Sequence, residues 1–234
     1  MDKYNFWAGL AIMAGLIMAG AMIPAAVGKF RAADRTVSVK GLCEREVPAD
    51  KVIWPIKYKV VGDDLSSVIS EIERKNAAIT KFITGGGIPE SEITISAPSI
   101  SDKFTQEYGS NDRAFRYVVT NTLTVCSTEV QKVLDLMGKQ SSLLKAGIAL
   151  EASQWDGAPV FSFEGLNDIK PEMIQEATRN AREVALKFAA DSNSKLGKIR
   201  SATQGTFSIE SRDSNTPQIK KVRVVTNVVY YLHN

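Results

Sequence analysis

The stretch KVIWPIKYKVVGDDLSSVISEIERKNAAITKFITGGG, residues 51–87, decides the fold class. Val52, Trp54, Ile56, Tyr58 and Val60 fall on alternate positions, the period of a strand with one buried face. Asp63 or Asp64 then offers a side-chain cap, and Leu65, Val68, Ile69, Ile72, Ile79 and Ile83 recur at helical spacing along one stripe. Gly85, Gly86 and Gly87 end that helix. A half-buried strand followed by an amphipathic helix requires the helix to lie on a sheet. The glycine run follows a helix and precedes a strand, so it is a helix stop; a phosphate-cradling loop would instead lead into a helix N-terminus.

Working outward, VSVKGLC (37–43) places Val37, Val39, Gly41 and Cys43 on one face and is expected to form a hairpin with the strand at 51–61. Strands around EITISAPSI (92–100) and RAFRYVVTNTLTVC (113–126), separated by a polar loop, complete a ββαββ order over residues 36–126. A connecting helix starts after Thr128, with Val130, Val133, Leu134 and Met137 inward, and resumes through Leu143 and Leu144. Strands near IALEAS and PVFSF follow. A long helix then runs from Pro171, with Ile174, Ala177, Ala181, Val184, Ala185, Phe188 and Ala189 facing in. Strands near GKIRSATQGTFSIES and IKKVRVVTNVVYYL close a second ββαββ unit over residues 148–232. The expected fold is α+β: two diverged ββαββ units with helices packed on antiparallel sheet, preceded by an N-terminal transmembrane helix.

That preceding helix is read from Phe6 to Val27, which are 22 consecutive residues without a charge. This is the length that crosses a hydrocarbon layer of about 30 Å as a helix. A retained anchor contacting the lipid bilayer through residues 6–27 is favoured over a cleaved signal, whose apolar core runs about 7–15 residues. Ala11, Gly15 and Ala19 fall at i, i+4 and i+8, a small-residue stripe that permits close helix approach; alanine and glycine are also simply common in membrane helices. The chain is thus divided into an anchor and juxtamembrane segment, 1–35, and a body, 36–234. Lys29, Arg31 and Arg35 after the segment, against Lys3 before it, lean towards a cytoplasmic body.

Composition excludes several enzyme classes. With 29 Lys+Arg against 26 Asp+Glu, the net charge of +3 lacks the basic excess of a nucleic-acid-coating protein. His233 is the single histidine, which makes a multi-histidine metal site or a Ser-His-Asp triad hard to assemble; it is next to last in the chain and no serine or cysteine motif points to it as an acid or base. Cys43 and Cys126 lie on expected strands and are read as two free, partly buried thiols, with pairing the alternative if their Cα atoms came within about 7 Å. Asp63 with Asp64, and Glu44 with Glu46, read as caps and solvated faces. Lys195, Lys198 and Arg200, and again Lys220, Lys221 and Arg223, read as solvated strand ends, because no aromatic residues interleave with them to stack bases. No catalytic, cofactor-binding or metal residues are assigned, and no cofactor, nucleic acid or small-molecule substrate is expected.

Four segments together resemble the bacterial SIMPL-domain family: VSVKGLCEREVPADKVIW (37–54), ITGGGIPESEITIS (83–96), FRYVVTNTLTV (115–125) and EATRNAREVALKFAADSNSKLGKI (176–199). Their order and spacing carry the resemblance more than any one of them. Two positions depart from the family pattern: Pro48, Ala49, Asp50 stands where Pro-Asp is common, and Cys43 replaces a glycine. The resemblance implies a secreted or membrane-anchored cell-envelope protein with an α+β fold. It further implies assembly into ring-like or barrel-like homo-oligomers, no established catalytic residues, and a body in the periplasm, against the local charge count.

The last strand adds a hint from the residues themselves. Val222, Val224, Val228, Tyr230 and Leu232 fill one face, while Val225, Val229 and Tyr231 make the other apolar too. A strand apolar on both faces wants two covers, and a neighbouring subunit is one candidate for the second; a second helix layer is the other. Val225, Val229 and Tyr231 are therefore the oligomer-interface candidates, and Ala11, Gly15 and Ala19 the helix-packing candidates. The expected function is a non-enzymatic, membrane-anchored envelope protein whose body self-assembles. The alternatives are a monomeric periplasmic binding or adaptor module and an envelope hydrolase.

Overall fold

A computed structural model describes residues 35–105, 114–151 and 157–233, together with residues 9, 11–18 and 20. The last group is helical, and Ile12, Met13, Leu16, Ile17 and Met18 within it are exposed. The rest of the expected span at 6–27, Ala19 included, lies outside the described residues. Among the described residues no helix is long and apolar enough to cross a membrane.

The body is α+β. In chain order it contains β1 (Thr36–Pro48), β2 (Lys51–Gly62), α1 (Leu65–Gly85), β3 (Ile93–Ile95), β4 (Ser99–Asp102), β5 (Tyr117–Ser127), α2 (Val130–Gly138) and α3 (Ser141–Lys145). It continues with β6 (Val160–Ser162), α4 (Leu166–Asp191), β7 (Lys195–Gln204), β8 (Ser208–Ser211) and β9 (Ile219–His233). One sheet has the order β3-β5-β2-β6, with β4 also on β5; the other has β1-β9-β7, with β8 also on β9.

The two sheets share a plan. Each long helix is followed by two strands that both pair with a longer third one, β5 after α1 and β9 after α4. One of the two N-terminal strands completes each sheet. The expected β1–β2 hairpin is therefore corrected: β2 pairs β5 in antiparallel register from Val52↔Ser127 to Gly62↔Tyr117, whereas β1 pairs β9. The connector Ala49-Asp50 explains why. It lacks the glycine that two-residue hairpin turns use. Its polar groups are taken elsewhere, with Ala49 N–H donating to Gln218 O, Asp50 N–H to Ser162 O, and the Asp50 carboxylate accepting from the N–H groups of Glu164 and Gly165.

Over residues 148–232 the elements run β6, α4, β7, β8, β9, with only an isolated bridge, Tyr58↔Leu150, where the IALEAS strand was expected. Residues 152–156 of that expected strand lie outside the described ones. The start of α4 is also corrected. The helix begins at Leu166, so Pro171 sits inside it rather than in its first turn.

The described residues divide into two compact units, those within Met1–Arg45, Asp168–Ser208 and Val222–Asn234, and those within Glu46–Asn167 and Ile209–Lys221. In the second, α1 packs on β2 and β5 through Val68, Ile72, Ile79 and Ile83, against Trp54, Ile56 and Leu123. The Asp64 carboxylate caps this helix by accepting from Ser67 N–H at 2.8 Å, and Asp63 instead accepts from Arg116 N–H at 2.9 Å.

In the first unit, α4 covers one face of β1-β9-β7. Its contact stripe is Ala177, Ala181, Ala185 and Ala189, all buried. The reason is Gly41 of β1, where an added Cβ would lie 1.8 Å from Ala177 O and 2.6 Å from Ala181 N. Helix and strand approach so closely that only alanine fits between them. Val184 and Phe188, expected inward, are displaced to the flank and are 37% and 54% exposed.

Candidate functional site

The candidate site is the face of the β1-β9-β7 sheet opposite α4. On the helix side, Val39 of β1 and Val228 and Tyr230 of β9 close over Ala181 and Ala185. Alternation along a strand then sends Val225, Val229 and Tyr231 to the other side. All three are half-buried in the single chain, and the structure brings them onto one face as the sequence pattern predicts. Leu42 of β1, 40% exposed, is an apolar residue that the sequence reading missed. Its signal was its place between Gly41 and Cys43, out of phase with their inward face.

Charge frames this strip. Arg223 Nε lies 3.4 Å from Glu44, and the Arg200 guanidinium stands 5.9 Å from the centre of the Tyr231 ring. Arg200 occupies a register irregularity in β7 between Ile199 and Ser201. An apolar centre with a charged rim is the anatomy of a protein–protein contact.

The remaining candidates resolve as follows. Cys43 and Cys126 are both free thiols; Cys43 is buried and Cys126 exposed. Burial, and after it the Glu176 side chain as hydrogen-bond partner and negative charge, push the Cys43 thiol up to about 11, outweighing Arg45 and Arg179. A thiol so held is protonated at neutral pH and is a poor nucleophile. Gly85 ends α1, and Gly87 takes φ 88°, as a helix stop requires. His233 closes β9, where its ring lies 2.5 Å from the place a Cβ on Gly197 would occupy. Lys220 departs from the solvated reading: it is buried and donates to Ser211 Oγ at 2.9 Å, and burial pushes its pKa down. Among the described residues no group of three or more His, Cys, Asp or Glu side chains is placed to hold a metal ion. Ala11 and Gly15 are helical, with open space around Gly15.

Two features escaped the sequence reading. Tyr58, Asn76 and Asn121 form a polar network inside the second unit: the Tyr58 hydroxyl lies 2.7 Å from Asn76 Oδ1, and Asn121 Nδ2 donates to the same oxygen at 2.9 Å. Lys75, also buried, stands 6.0 Å from the Tyr58 ring centre and 3.6 Å from Glu71. Asn121 sits between Val119 and Leu123 on an inward face, a polar interruption visible in the alternation. The second is a mostly apolar groove of about 480 Å³, with Trp54, Ile56, Met137, Leu144 and Leu150 in its walls and the Lys57 and Glu151 side chains at its edge.

The SIMPL family model, described as a protein of unknown function (DUF541), matches residues 37–230, and the chain belongs to that family. No curated protein matches the chain at a significant level.

Proposed function

We propose that this chain is a non-enzymatic, membrane-anchored cell-envelope protein whose SIMPL domain self-assembles into a closed, ring-like or barrel-like homo-oligomer. The observation that carries the reading is the strip of Val225, Val229 and Tyr231 on the sheet face opposite α4, half-buried in a single chain, with exposed Leu42 on the neighbouring strand. Like subunits that bury such a strip by a rotation that closes avoid open-ended fibres. The uncharged segment at 6–27 supports single-pass anchoring in the inner membrane, with Ala11, Gly15 and Ala19 as the packing stripe and the body in the periplasm. Light scattering and intact mass of the detergent-extracted full-length chain test this together. A multimer of full-length chains is expected; a monomer contradicts assembly, and a mass lacking the first 25 to 35 residues contradicts the anchor. Protease added to spheroplasts should digest the body, and protection would place it in the cytoplasm.

The apolar groove of about 480 Å³ favours a second reading, a monomeric binding or adaptor module, because small-molecule and peptide sites are commonly concave and apolar with a few polar groups. A monomer in the light-scattering measurement would select it.

A further inference from the structure

We propose that the groove between α4 and β7 binds a phosphate-bearing ligand with an apolar body. Arg179 and Arg182 reach it from α4 and Lys198 from β7, and no carboxylate lines it. Two other arginines of the same unit are paired with carboxylates: Arg45 lies 2.9 Å from Glu172 and 3.7 Å from Glu176, and Arg223 pairs Glu44. Among the described residues Arg179, Arg182 and Lys198 have no ion-pair partner. Arg179 and Arg182 are three apart on one helix, where like charges raise the energy of the free protein. Three uncompensated cations facing one groove are the arrangement that an incoming anion relieves.

The groove also indicates what the anion is attached to. Its volume of about 540 Å³ far exceeds that of a bare phosphate, and Ile199 and Tyr230 supply apolar wall. Ile199 is 48% exposed although its register partner Tyr230 is buried, so its side chain is left for a ligand to cover. Two guanidinium forks match phosphate oxygens in bidentate fashion, a lysine adds a point charge, and the Thr178 hydroxyl supplies a further donor. A soluble organic phosphate and a lipid phosphate headgroup share this chemistry.

Calorimetry on the full-length chain in a neutral detergent separates the sources and tests the site. Phenyl phosphate represents the soluble source; dihexanoyl phosphatidic acid, compared with uncharged dihexanoylglycerol, represents the lipid source. Saturable binding of one ligand per chain is expected for at least one phosphate probe and not for dihexanoylglycerol, and the tighter probe names the source. Arg179→Gln with Arg182→Gln, and separately Lys198→Gln, should weaken binding about tenfold or more, as expected for removing charge-assisted hydrogen bonds. Lys187→Gln, on the same helix but away from the groove, should leave it unchanged. All four side chains are exposed, so the variants stay folded, with melting temperatures at or slightly above that of the wild type. No saturable binding by the wild type, or equal weakening by Lys187→Gln, overturns the site, and either result leaves the assembly reading untouched.

Discussion

The thiol of Cys43 lies on the buried face of β1 beside Glu176. Cys126 lies on the solvent side of β5, opposite Val125 and Ser127. A maleimide should therefore label Cys126 in the native chain, while Cys43 stays unlabelled until the protein unfolds or the pH rises towards about 11. Mass spectrometry of the labelled chain checks this; two labels on native protein at neutral pH would contradict it. Alternation in the sequence placed Thr120, Thr122 and Thr124 on the same side as Cys126, and on that side the threonines are half-buried and Cys126 exposed. The burial of Lys75 and Lys220 was not legible in the same way, because the partners that permit it, Glu71 with the Tyr58 ring and Ser211, are set by packing rather than by period.

At the scale of elements, strand and helix periods gave the correct type for most of the body, and side-chain volume decided what they left open. The alanine stripe of α4 had room for a broader apolar face in sequence, but close approach over Gly41 narrowed it. Gly41→Ala should cost about 1–3 kcal/mol or more, since the new Cβ meets backbone that cannot yield, as in overpacked cores. Gly85→Ala, with nothing within 4 Å, is the control and should not destabilise. Chemical denaturation of both variants decides, and equal stability would refute the close-packing account. The N-terminus of α1 makes a second prediction. The Asp64 carboxylate accepts from the hydroxyls of Ser66 and Ser67 and from the Ser67 N–H, which hold its pKa down to about 2. A depressed carboxylate contributes stability above its unfolded value of about 3.9, and that contribution is lost as pH falls towards 2. Melting temperature should drop over this window, and Asp64→Ala should flatten the drop; an unchanged profile would show that the cap contributes nothing.

For the whole molecule, the pairing of elements was the least legible level. Two strands joined by two residues ordinarily pair, and here β1 and β2 are separated into different sheets because the connector bonds to β6 and to the start of β9. The two compact units likewise interleave along the chain, so no linker marks their boundary in sequence. The β9 face was legible because it depends only on alternation, and its three half-buried residues are the centre of the assembly proposal. Full burial of an exposed side chain of this size contributes about 1.5–3 kcal/mol; these half-buried ones gain the remaining part, roughly half of that, repeated at every contact of a closed ring. The most direct measurement is the particle mass of the full-length chain in detergent, by mass photometry, beside that of the Val229→Asp, Tyr231→Asp double variant. The account predicts a defined multimer for the wild type and folded single chains for the variant. A variant that keeps the full particle mass, or one that unfolds because that face is covered within its own chain, would contradict it.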